Sequence, residues 1–215
     1  MEETVEKITL DMKEARLPRD LEKYRARAVA LGASRSAVVQ VSDITVDDRV
    51  TLKCQIPRCF GYGASAHCPP HTLKPKKLRK ILQQYQWAVL FIKEVPSEII
   101  VRDKTTIKER IDAYQEVFKI VTEVESMAFY DGHYLAFGFG AGSCRHSFCS
   151  RQENCQALEG RRCRFPLLSR PSMEAVGIDV YQLVTRVGWD IFPIGSNAKP
   201  HQIPKGTLTG IVIVQ

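Results

Sequence analysis

The chain has 215 residues, with 31 Lys or Arg against 24 Asp or Glu and a formal charge of +7. Hydrophobic residues at 44% and charged residues at 26% provide for a real core and exclude the disordered and collagen-like classes. No apolar run reaches the ~20 residues of a membrane span. The start, with Glu2, Glu3 and Glu6, lacks the basic-then-apolar order of a signal peptide. A cytoplasmic protein is expected, with one metal-binding domain over 1–215 and residues 1–35 as a helical segment packed on it.

In chain order, Leu21, Tyr24, Ala28 and Leu31 fall at 3, 4, 3 spacing and predict a helix from Pro18 to Leu31, stopped at Gly32. Ser36 to Ser42 reads as a buried strand through Ala37, Val38, Val39 and Val41. Residues 43–53 read as extended or irregular. From Cys54 to Leu73, Pro57, Gly61, Gly63, Pro69 and Pro70 enforce loop. Pro75 opens a second helix with Leu78, Ile81, Leu82 and Tyr85 on one face. Trp87 to Val95 is an inner strand. Thr106 and Glu109 form a capping-box pattern before a long amphipathic helix, with Ile107, Ile111, Tyr114, Phe118, Val121, Val124 and Ala128 as its stripe and Gly132 as its end.

Tyr134 to Phe137 reads as a short strand opening into Gly138, Gly140 and Gly142. Pro171 starts a short helix interrupted at Gly177, and Asp179 with Gln182 caps a further one carrying Val180, Leu183, Val184 and Val187. Thr207 to Val214 is the last strand. Strands alternating with helices predict an α/β fold, with a mixed or partly parallel central sheet, flanking helices and two cysteine-rich metal-binding loops. The span from Trp87 to Phe137 is long enough for a crossover.

Seven cysteines fall into two short segments, an odd number that argues against a disulfide framework. One is a triad, Cys54-x4-Cys59-x8-Cys68, and the other a quartet, Cys144-x4-Cys149-x5-Cys155-x7-Cys163. Structural zinc is usually built from pairs spaced by about two to four residues, with a second such pair elsewhere. Neither segment has a C-x2-C knuckle. Iron–sulfur sites wrap loop around a larger object and tolerate such spacings, including a cysteine followed by proline, as at Cys68. The two glycine-rich stretches fit close backbone approach to a cluster. Buried structural thiols are the bland alternative, and scattered cysteines would suit it better than two turn-rich groups.

The ordered motifs Cys54-x4-Cys59-Phe-Gly-Tyr62-Gly63, Cys68-Pro69-Pro70, the glycine-rich strand end with Cys144 to Cys163, and Arg170-Pro171-Ser172-Met173-Glu174-Ala175 before Gly177-Ile178-Asp179-Val180 resemble the family called domain of unknown function 2284. The resemblance runs from about Ser36 to the end. It implies metal binding and names no reaction.

All seven cysteines are the expected ligands of one or two [4Fe–4S] clusters, with zinc as the alternative metal. Three ligands at the triad either leave an iron open or are completed by His67 or His71. His146 lies within the quartet. Arg170 and Glu174, four apart, are read as a pair. The expected role is redox or auxiliary reductive, with no catalytic side chain assigned. The alternatives are a zinc-stabilised binding module and a carrier of metal or cluster. The expected partner is a redox protein or a small anionic or thiol substrate. The basic runs Lys74 to Lys80 and Arg161 to Arg164 lack interleaved aromatics, so nucleic acid is disfavoured, and no membrane is expected.

Overall fold

The structure, a computed structural model, describes residues 7–8, 12–101, 106–195 and 197–214. Glu2, Glu3 and Glu6 lie outside the described residues. The elements are α1 (Met12–Ala30), β1 (Arg35–Gln40), α2 (Asp48–Gln55), α3 (Pro75–Leu82), β2 (Trp87–Val95), α4 (Ser97–Ile100), α5 (Ile107–Tyr130), β3 (Phe137–Phe139), α6 (Cys144–Phe148), α7 (Val180–Arg186) and β4 (Gly206–Ile213). Among the described residues, no helix is long and apolar enough to cross a membrane.

One four-stranded sheet runs in the order β1-β2-β4-β3, and every neighbouring pair is antiparallel. The expected parallel pairing is absent from this sheet, for a specific reason. β2 and β3, joined through α5, do run the same way, as a crossover requires. The last strand, β4, inserts between them and faces both in the opposite sense. Leu208, Ile211, Val212, Ile213 and Val214 are all buried, so β4 needs cover on both faces and a neighbour on both edges.

Residues alternating along β2 and β4 divide between two cores. Val89, Phe91, Leu208 and Val212 face Leu21, Tyr24 and Ala28 of α1 and Val117, Val121 and Val124 of α5. Ala88, Leu90, Ile92, Ile211 and Ile213 face Leu78 of α3, Met173, Ile178, and Leu183 and Val184 of α7. α1 begins earlier than its spacing suggested and carries Pro18 within it.

Other local expectations are corrected. Asp48–Gln55, expected irregular, is helical because the Asp47 side chain accepts the Arg49 N–H at 2.8 Å and caps it. α5 forms as expected but without the capping box: the Thr106 hydroxyl donates instead to the Glu98 carbonyl. Asp179 does cap α7, accepting the Gln182 N–H at 3.0 Å. The strand expected at Tyr134–Phe137 lies later, at Phe137–Phe139. Where a helix was expected from Pro171, the chain bridges Gly140 to Ser172 and makes only a 3-10 turn, Glu174–Val176, which Gly177 ends at φ +94°.

The glycines before the quartet serve packing between β3 and α5. A Cβ at Gly140 would stand 2.8 Å from the Phe118 ring, and one at Gly142 would stand 2.7 Å from the Tyr114 ring. Gly142 also has φ +66°. Their spacing of two therefore matches a stripe on the facing helix, where cluster approach had been expected.

Candidate metal centre

The triad is built on the end of α2 and the turns after it. Cys54 lies in the last turn of α2, and its carbonyl accepts the Cys59 N–H at 3.0 Å. The Gly61 N–H approaches the Cys59 Sγ at 3.4 Å. Cys68 is buried at 7% exposure, and its carbonyl accepts the N–H groups of His71 and Thr72. Gly61 lies against the Cys68 sulfur and the Ser143 side chain, so the triad loop touches the segment opening the quartet.

The quartet begins at Cys144, the first residue of α6, buried at 9% exposure; Cys149, Cys155 and Cys163 are half-buried. Arg145 donates to the carbonyls of Gln152 and Glu153, and Arg164 to that of Asn154 at 2.9 Å. Two guanidinium groups thus pin the turn between Cys149 and Cys155. The Cys163 Sγ lies 3.3 Å from the Ser169 hydroxyl and 3.4 Å from the Phe165 N–H. Phe148 packs on both Phe118 and Phe165, tying this loop to α5.

The two loops meet directly. The Cys68 Sγ is 3.4 Å from the Ser143 Oγ, and the Cys144 Sγ is 3.8 Å from the Ser65 Oγ and 3.6 Å from the His67 Nδ1. They do not meet because both follow strand ends of one direction. β1 ends where β2 begins, and β3 runs with β2 toward the opposite end of the sheet. Residues 41–53 carry the chain back, pairing Val46 with Ile178 and Asp47 with Gly177. His67, one of two candidates to complete the triad if its iron is not left open, therefore lies beside a quartet sulfur, and His71, the other, is exposed. His146 packs edge-on to Phe60 at 4.3 Å.

Among the described residues, no group of three or more His, Cys, Asp or Glu side chains is gathered so as to hold a single metal ion. The donor chemistry nonetheless fits a thiolate-binding metal centre. Burial pushes the Cys54 thiol up to about 11, with the charges of Cys59, Cys68 and Glu174 adding to it. Burial pushes Cys144 up to about 12, opposed by the Ser65 hydrogen bond and reinforced by Cys68, Cys163 and Cys155. Burial also raises Cys149, against the nearby Arg164. These thiols cannot all ionise in one another's field unless a cation supplies the compensating charge.

A cavity of about 340 Å³ adjoins the triad, with Cys54, Cys59 and Cys68 on its wall. Glu174 is one of its lining residues, and desolvation raises the pKa of its carboxyl, against a hydrogen bond from its own backbone and one with Ser172. Arg170, expected to pair with Glu174, binds Glu125 instead at 2.6 Å, and Glu125 also accepts the Gly138 N–H. Burial and the charge of Glu174 raise Tyr181 at the same cavity. Thr207 and Thr209 line it from β4, and both hydroxyls are buried without a partner among the described residues. Sequence reading missed these threonines because they look like ordinary strand residues; two hydroxyls on one face of an otherwise apolar strand were the available signal.

No curated protein and no solved structure matches the chain. The family model described as predicted metal-binding protein, domain of unknown function 2284, matches residues 37–214, which include every cysteine and the whole sheet apart from the first two residues of β1. The chain belongs to that family of predicted metal-binding proteins.

Proposed function

We propose that this chain is an iron–sulfur protein with a redox or auxiliary reductive role. Cys144, Cys149, Cys155 and Cys163 hold one [4Fe–4S] cluster, and Cys54, Cys59 and Cys68 hold a second through three ligands. The observation that carries this reading is the placement of all three triad cysteines on the wall of one cavity. Three protein ligands leave one metal position free for a substrate, and the cavity is where such a molecule would sit. When bound, the clusters supply electrons at low potential and one Lewis-acidic position.

The chain's own groups do the rest. The N–H groups of Gly61 and Phe165 donate toward sulfur, and the Ser143 and Ser169 hydroxyls lie within reach to donate to a thiolate, which tunes the potential of a thiolate-bound cluster. Contact between the loops at Ser65, His67 and Ser143 provides a short path between the two sites. The clustered arginines near Cys163 suit an acidic redox partner. A second reading, a zinc-stabilised module, is favoured by the His67–Cys144 pair, since zinc takes mixed Cys and His ligands.

Electron paramagnetic resonance of the anaerobically purified, dithionite-reduced protein separates the readings. Two signals are expected, one lost in Cys68→Ser and the other in Cys163→Ser. A colourless, zinc-loaded protein without either signal would remove the iron–sulfur assignment.

A further inference from the structure

We propose that the cavity beside the triad is a specific site for a small, largely apolar organic molecule that is neutral or singly positive, recognised by Glu174 and by the hydroxyls of Thr207 and Thr209. This deepens the iron–sulfur reading by naming the substrate class. It rests on that reading only for the chemistry, because the recognition groups are independent of any metal.

The first support is polar. Thr209 is 4% exposed, and neither its hydroxyl nor that of Thr207 has a partner among the described residues. Buried polar groups are nearly always paired, so two orphans two residues apart on one strand face need a reason. That face continues as Ile211 and Ile213 in the apolar core, and it turns hydroxylic where it reaches the cavity. A bound molecule with a donor or acceptor at its inner end would satisfy both hydroxyls.

The second support is charge. The cavity wall holds the Glu174 carboxyl and three thiols, and none of its described residues is Lys or Arg. Two basic residues on the lining segments are engaged elsewhere: Arg170 holds Glu125, and Arg58 stacks over the Tyr62 ring at 5.5 Å from its centroid. Away from the metal position, a carboxylate or phosphate would meet the Glu174 carboxyl with no lining Lys or Arg among the described residues to offset it, whereas an amine or amide would find a partner there. This disfavours the anionic half of the substrate class expected from sequence.

Shape is the third. At about 340 Å³ the space lies at the small end of ligand pockets. Phe60, Tyr62, Tyr114, Tyr181 and Phe192 contribute rings to its wall, which suits a flat or aromatic body over a branched polar one.

Calorimetric titration of anaerobically purified protein with benzylamine, benzamide and benzoate tests this. Benzylamine and benzamide should bind, with benzoate weaker by roughly tenfold or more, as expected when a charge-assisted hydrogen bond is replaced by repulsion. Glu174→Gln should weaken benzylamine by roughly tenfold while leaving benzamide nearly unchanged. Thr209→Val should weaken benzamide severalfold without lowering Tm, because it removes an unpaired buried hydroxyl. Benzoate binding as tightly as benzylamine, affinities indifferent to both substitutions, or no binding of any probe would each overturn the proposal. Selective binding by a colourless protein would leave this site standing and remove the cluster reading. Brown protein that binds no probe would do the reverse.

Discussion

Replacing Gly142 with alanine probes how the fold presents the quartet. The new Cβ would stand 2.7 Å from one Tyr114 ring carbon and 2.9 Å from another, at a backbone with φ +66°. The left-handed conformation costs an L residue about 1–2 kcal/mol. Overpacking against a ring fixed on α5 adds about 1–3 kcal/mol. The stiffer unfolded chain returns about 0.4–1 kcal/mol. A net destabilisation of about 3 kcal/mol is expected for Gly142→Ala. Urea unfolding of the metal-free protein, extrapolated linearly to water, measures it. In a double-mutant cycle, Tyr114→Leu should recover the contact share and leave the conformational share. Because Ser143 and Cys144 follow directly, the substitution should also lower bound metal. A variant within about 0.5 kcal/mol of wild type, or a cycle with no coupling, would refute this packing argument.

Three further outcomes follow from the geometry. Arg170→Ala leaves the half-buried Glu125 carboxylate with only the Gly138 N–H, and should cost about 1–3 kcal/mol by the same unfolding assay. His67→Ala should change the spectroscopic signal that Cys163→Ser removes, and His71→Ala should change neither signal, because His67 lies at Cys144 and His71 is exposed. The raised thiols of Cys54 and Cys144 make the folded metal-free state bind protons more tightly than the unfolded one. Their stabilisation is complete below the ordinary thiol value of 9.0 and is lost as pH rises through about 11 and about 12. Thermal unfolding across that window should show falling Tm in metal-free protein, with Cys144→Ser flattening the dependence.

Periodicity located what periodicity can locate. The α5 stripe, the β2 run and the Asp179 cap were readable because each depends on residues close in sequence. Sheet order was not readable, since nothing local in Thr207–Val214 tells it to insert between β2 and β3; that depends on which apolar surfaces remain uncovered after the earlier elements pack. The cysteine grouping was legible from spacing, but contact between the groups was not. The return segment 41–53 brings them together through pairings with residues 177–179, more than 120 positions away. The glycines were legible as close-approach positions, but their partner, a ring stripe on α5, was not. Glu174 drew notice as half of a pair with Arg170; Glu125, far off on α5, captures that arginine and leaves Glu174 to the cavity.

The most direct test of the central claim is joint quantification of iron, acid-labile sulfide and zinc in protein purified without oxygen. The account predicts brown protein with iron and sulfide in about equal amounts, near eight of each per chain if both sites hold four-iron clusters. It further predicts that Cys54→Ser lowers both by about half while Cys163→Ser removes the other half. Zinc at about one or two per chain with no acid-labile sulfide would contradict it.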